Sequence, residues 1–169
     1  MRQFSFLSGC AVVLTANFLV SGPIVAAEPP VGEWLVKDKY AQVRIENCGG
    51  ALWGVISWEA KPGGRDTENP DPALRGRPVL GMPILLDMRE KPAEQRWIGH
   101  VYNSENGKTY SANIRLVNPN VMRLEGCLFE DFLCMGQDWT RVPGSGAQSK
   151  GPSAKSQSKA GDVCSRIKR

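Results

Sequence analysis

The sequence predicts an all-β domain, an antiparallel up-and-down barrel of about eight short strands with one short helical turn in a long loop. Three observations predict it. From Pro30 onward, runs rich in β-branched and aromatic residues alternate with clusters of Gly, Asn and Pro at hairpin spacing. No stretch sustains a helical period. The first run opens on Gly32-Glu33-Trp34 and the last closes on Trp139-Thr140-Arg141, and a closed meander places its first and last strands side by side, leaving no exposed edge.

In chain order, VGEWLVKD and AQVRIENC are the first two expected strands, separated by Lys39-Tyr40. Gly49-Gly50 then turns into ALWGVISWEA, where Leu52, Gly54, Ile56 and Trp58 alternate with Trp53, Val55 and Ser57. A period of two assigns these sets to opposite faces. A strand near PILLDM follows a long connection. After it come QRWIGHVYN, a turn at SENG, KTYSANIRLVN, a turn at NPN, VMRLEGCLF and FLCMGQDWTRV. The last turns are short, which makes these strands sequential antiparallel neighbours. A two-sheet sandwich would share much of this pattern. The barrel is favoured because its closure lets Arg141 meet Trp34, a guanidinium over an indole face that plugs one end.

The long connection is DTENPDPALRGRPVLGMPILLDM, from Asp66 to Met88. Asp71 can cap a single turn of helix, Pro72 suits its first position and Gly76 suits its stop. Long ordered loops in compact domains are usually functional or lid-like, so this one is expected over the open end of the barrel. Arg75 and Arg77 would then lie at the mouth, able to bind a carboxylate or phosphate by forked hydrogen bonds. Pairing with Asp66, Glu68 or Asp71 to hold the loop's shape is the more economical reading of both. Trp53, Trp58, Trp97 and Tyr110 could line a cavity, although aromatic residues in a small barrel more often fill it.

The two ends of the chain read differently from its middle. Residues 1–27 carry an early Arg2, an apolar stretch around Cys10 to Val20, and small residues at Val25, Ala26 and Ala27. That order is expected of a signal peptide cleaved after Ala27. The barrel domain is then assigned to 28–142 and a disordered basic tail to 143–169. Between Glu28 and Val142, 14 Lys and Arg stand against 16 Asp and Glu, whereas the tail has six basic residues and only Asp162 opposing them. The chain's basic balance therefore belongs to the tail and gives the domain no nucleic-acid-binding face. The tail is too poor in large apolar residues to offset its ordering entropy. A solubilising extension is the simpler role for it, and peripheral contact with an anionic envelope surface is the alternative.

Four cysteines follow Ala27: Cys48, Cys127, Cys134 and Cys164. An exported chain meets oxidising conditions, and counting outward from a turn at Glu130-Asp131 sets Cys127 opposite Cys134. Opposed strand residues come close enough for a disulfide. With His100 the chain's one histidine, a zinc site is not expected. Nor is any cofactor. The sequence contains no Gly-x-Ser-x-Gly elbow, no glycine-rich phosphate loop before a helix and no paired-histidine metal motif, so no enzymatic activity is expected.

RIENCGGALWGVISW, NPDPALRGRPVLGMPIL, YNSENGKTYSANIRL and QDWTRV together resemble an uncharacterised family of secreted bacterial proteins, domain of unknown function 2147, over roughly Gly32 to Val142. The most specific blocks are Asn69, Pro70, Asp71, Leu74 to Arg77, and Tyr102, Asn103, Gly107 to Tyr110. The Gly-x-Trp opening with a late arginine is similar to the lipocalin signature. The resemblance implies a lipocalin-like barrel in an exported protein and no established activity. It also implies a cysteine in many relatives where this chain has Trp53, which leaves Cys48 to pair with Cys164 or to stay free. The expected function is binding or carriage of a small apolar or amphipathic molecule in the periplasm or outside the cell. The alternative is a non-enzymatic envelope interaction module with a filled barrel and no ligand.

Overall fold

Eight strands follow one another around a closed barrel in the computed structural model, which describes residues 28–128, 132–144 and 163–167. They are β1 (Gly32–Leu35), β2 (Ala41–Cys48), β3 (Ala51–Glu59), β4 (Pro83–Lys91), β5 (Arg96–Asn103), β6 (Lys108–Asn118), β7 (Val121–Leu128) and β8 (Leu133–Arg141). Every pairing is antiparallel, and β1 closes the ring on β8 through Trp34 opposite Arg141 and Leu35 opposite Thr140. The all-β, up-and-down expectation holds. The expected signal peptide, 1–27, lies outside the described residues.

Strand order gives the barrel two distinct ends. One, here the floor, gathers the start of β1, the β2–β3, β4–β5 and β6–β7 turns and the end of β8. The other, the mouth, gathers the β1–β2, β3–β4, β5–β6 and β7–β8 connections. At the floor Arg141 lies 4.2 Å over the Trp34 ring. Its guanidinium donates to the carbonyls of Pro119 and Val31, each at 2.7 Å, while the Trp34 indole N–H donates to the Pro30 carbonyl. Burial pulls the Arg141 pKa below its ordinary value, and the carbonyl dipoles compensate the desolvated charge.

The period of two explains which side chains fill the barrel. Val43 and Ile45 on β2 sit opposite Ile56 and Gly54 on β3, and the same inward rows carry Leu85, Trp97, Ile114, Met122, Leu124 and Trp139 around the ring. A bulge at Gln42/Val43 breaks the expected alternation on β3. It sets Trp58 opposite Gln42 on the outer parity, where Trp58 is 43% exposed.

One boundary needs correction. Val163–Arg166, inside the segment expected to be a disordered tail, forms a helical turn, α1, packed against β2 and β3. A Cys48–Cys164 disulfide ties it down, the Val163 N–H donates to Glu46, and Val163 and the outward-parity Val55 are both fully buried. The expectation failed because a covalent bond to β2 and one buried valine offset ordering entropy that composition alone could not. The rest of that tail, beyond Gly144, lies outside the described residues. No helix among the described residues is long and apolar enough to cross a membrane.

Candidate functional site

The β3–β4 connection reaches the mouth and is held by one buried carboxylate. Asp66 is fully buried and accepts hydrogen bonds from the Tyr102 hydroxyl at 2.6 Å, the Asn69 amide at 2.7 Å and the Arg77 Nε at 2.8 Å. Arg77 adds a second N–H to the same carboxylate and lies 5.5 Å over the Tyr102 ring. Burial pushes the Asp66 carboxyl up, but the donated hydrogen bonds and the Arg77 charge outweigh it and hold the group below its ordinary pKa. Tyr102 is pushed up by burial and by donating to that carboxylate. The segment also rests on the β5–β6 turn, where Gly107 has φ +67° and a Cβ would strike the Glu68 carbonyl.

Within this loop the short turn forms at Pro72–Leu74, and the Asp71 carboxylate caps it by accepting from the Ala73 N–H at 2.9 Å. Gly76 does not stop it through a left-handed residue. The turn ends at Arg75 in right-handed conformation, and Gly76 stays out of the positive-φ region. A single 3-10 turn closes with the Arg77 N–H on the Leu74 carbonyl, so no left-handed cap is required.

Beneath the loop the barrel interior divides into two halves. The floor half is packed: Gly54 and Gly99 make room for neighbours, since an added Cβ would come within 3.0 Å of Leu85 and 2.8 Å of the Met88 sulfur. On the β1–β4 side of the mouth half, Val36, Ala41, Ile56 and Met82 are buried as well. The β5–β8 side differs. Val101, Tyr110 and Gln137 occupy inward rows yet remain partly accessible, and Met135, opposite inward-facing Gly126, is 83% exposed. A Cβ on Gly126 would meet nothing nearer than Val101 Cγ1 at 3.4 Å. β8 runs past the end of β1, because only its last two residues pair with that strand. This stretch of accessible inward positions on the β5–β8 side of the mouth is called the cup; the charged 3-10 turn Lys37–Lys39 packs against β8 beside it.

A family model described as an uncharacterized protein conserved in bacteria (DUF2147) matches residues 32–141. The chain belongs to the DUF2147 family. This DUF2147 chain is also similar to the solved structure of protein HP1028 from the human pathogen Helicobacter pylori, described as belonging to the lipocalin family. The TM-score is 0.61 at 19% identity, over 69% of this chain and 84% of that one. A likeness at that identity concerns the fold, which is lipocalin-like here. A search of curated proteins found no match.

The residues expected at a ligand site are scattered by this DUF2147 barrel. Tyr110 is on the cup wall, its hydroxyl accepting from the Asn106 amide at 2.9 Å. Trp97 is buried in the packed core. Trp53 is corrected to the outer surface: it pairs with Glu46, whose carboxylate receives the α1 N–H. Arg77 belongs to the Asp66 network, and Arg75 donates to the Asn69 carbonyl at 2.8 Å. Neither arginine is on an inward row of the barrel. Gly126, Met135 and Gln137 were missed as lining residues, though the register set by Cys127 and Cys134 would have placed all three. Among the described residues no group of three His, Cys, Asp or Glu side chains could hold a metal ion.

Proposed function

We propose that this protein is an exported, non-enzymatic binder or carrier of a small apolar or amphipathic molecule, held in the mouth half of its barrel. The observation that carries the reading is the contrast between halves: inward-facing Val101, Tyr110 and Gln137 are accessible while the floor beneath them is closed. Small-molecule sites are concave, mostly apolar and furnished with a few polar groups, and this lining fits that description. Two disulfides suit an oxidising compartment, which supports export.

The experiment is a fluorescence titration with the uncharged probe N-phenyl-1-naphthylamine. Wild type should bind it, and Gly126→Leu, which fills the cup from a position with room for a Cβ, should weaken binding at least about tenfold with unchanged unfolding. Equal binding by both proteins would place the probe elsewhere and count against the cup. A second reading has its own observation. Phe132 is 87% exposed beside Met135 on the β7–β8 hairpin, an apolar face that suits an interaction module. Absence of any probe binding would favour that reading.

A further inference from the structure

We propose that the β7–β8 hairpin is the surface through which two copies of this chain pair, each covering the apolar inner face of the other's hairpin. Support from neighbouring strands gives out here: pairing with β6 stops at Ser111 opposite Cys127, and pairing with β1 begins only at Thr140. The Lys37–Lys39 turn packs against β8 but leaves Met135 83% exposed. Leu128 and Leu133 oppose each other in phase with Gly126 and Met135, and both are exposed, as is Phe132 beside them. The hairpin is nonetheless a formed surface. It keeps register over eight residue pairs and is closed by the Cys127–Cys134 disulfide, and a preorganised face binds without the ordering cost of a loop.

Area, shape and charge select the partner. Leu128, Phe132, Leu133 and Met135 together expose on the order of 500 Å² of apolar surface, as much as the largest patch a monomer commonly leaves bare. Two copies face to face would cover about 1,000 Å², the lower bound for a specific interface, so the dimer is weak. The face is self-complementary, as a two-fold pair requires. Met135 projects, while Gly126 directly opposite it has room for a side chain it lacks, and each Met135 lies over the second copy's Gly126. Residues 132–137 carry no charge, so no like charges meet at the axis. A lipid surface fits this hairpin less well. The connection between its strands contains Glu130 and Asp131, which anionic headgroups repel.

Sedimentation velocity of the full, oxidised chain tests the proposal. Wild type should pass from monomer to dimer between about 1 and 200 μM, with a Kd on the order of 10 μM. Combining Phe132→Ser with Met135→Ser should raise that Kd at least about tenfold while thermal unfolding stays the same. Val117→Ser, at an exposed apolar position toward the floor end of β6, should leave the Kd unchanged. In a dimer of one isotope-labelled and one unlabelled copy, the Met135 methyl should show an Overhauser contact to the unlabelled Gly126. A monomer throughout that range, a dimer indifferent to the double variant, or a dimer lacking that contact would overturn the proposal. A monomer that instead binds vesicles of phosphatidylethanolamine and phosphatidylglycerol through Phe132 and Met135 would overturn it in favour of a lipid surface. The cup is tested apart, by titrating N-phenyl-1-naphthylamine at about 1 μM protein, where the chain is monomeric. Pairing without probe binding keeps the proposal and removes the cup, and probe binding by a chain that never pairs does the reverse.

Discussion

Asp66 shows how one side chain can organise a loop of more than a dozen residues. Its carboxylate is buried, and it remains charged because Tyr102, Asn69 and Arg77 all donate to it. Replacing it by Asn leaves Arg77 without its counter-ion and should cost about 2–4 kcal/mol of stability in urea unfolding at pH 7. The pH dependence follows from the lowered pKa. A carboxyl depressed below its unfolded value of about 3.9 stabilises fully above that value and loses the contribution as pH falls through the folded pKa. The gap between wild type and Asp66→Asn should therefore be complete above about pH 5 and close steadily below about pH 4. A gap that stays constant down to pH 3 would contradict the network. At the floor, Arg141→Lys keeps the charge but loses the forked donors to Pro119 and Val31. It should lower stability by about 1–2 kcal/mol in the same assay. The cap at Asp71 was legible because its partner is two residues away. Asp66 was legible only as one of three acids available to the loop arginines, since the donor that ties it to the barrel, Tyr102, is 36 residues distant.

Most strands were legible nearly residue by residue, because alternation and punctuation are local. The first, however, ends at Leu35, and the Lys37-Asp38 expected to continue it lies in a 3-10 turn, Lys37–Lys39, where Asp38 has φ 64°. AQVRIENC and KTYSANIRLVN are β2 and β6 in full. The β7–β8 register, counted from an acidic turn, sets Cys127 opposite Cys134 with Cα atoms 4.0 Å apart, the close spacing of a non-hydrogen-bonded pair. What local pattern cannot give is a bulge. The irregularity at Gln42/Val43 turns Trp58 outward without any mark in composition. The two disulfides should differ in strength, because one spans 116 residues and the other seven. Replacing Cys127 and Cys134 by Ser should cost about 2–3 kcal/mol, and replacing Cys48 and Cys164 about 4–5 kcal/mol if α1 adds no strain. Urea unfolding of both double variants checks the ranking. A larger loss for the hairpin pair would mean that register, and not loop closure, dominates. The α1 turn itself could not be read from its polar surroundings, since its anchor is a bond to β2 and a buried Val163.

At the scale of the molecule, closure was legible from two ends of the sequence, Trp34 and Arg141, which do meet. The cup was not. Expecting aromatic residues to line it put Trp53 and Trp97 there, yet one faces outward and the other fills the core. The accessible inward positions coincide with small and short features: Gly126, a β1 of four residues, and a β8 that outruns it and meets the Lys37–Lys39 turn instead. Such an opening depends on how lengths of distant strands compare, a relation that no single window of sequence contains. The same comparison explains why the floor is closed, since every strand that reaches it brings a large inward side chain. Amide chemical-shift mapping with N-phenyl-1-naphthylamine tests this division most directly. Shifts should concentrate on the β5–β8 wall at Val101, Tyr110, Gly126, Met135 and Gln137, with Trp53 and the outer face of β2 and β3 unmoved. Shifts centred on that outer face, or none in the presence of saturating probe, would contradict the cup.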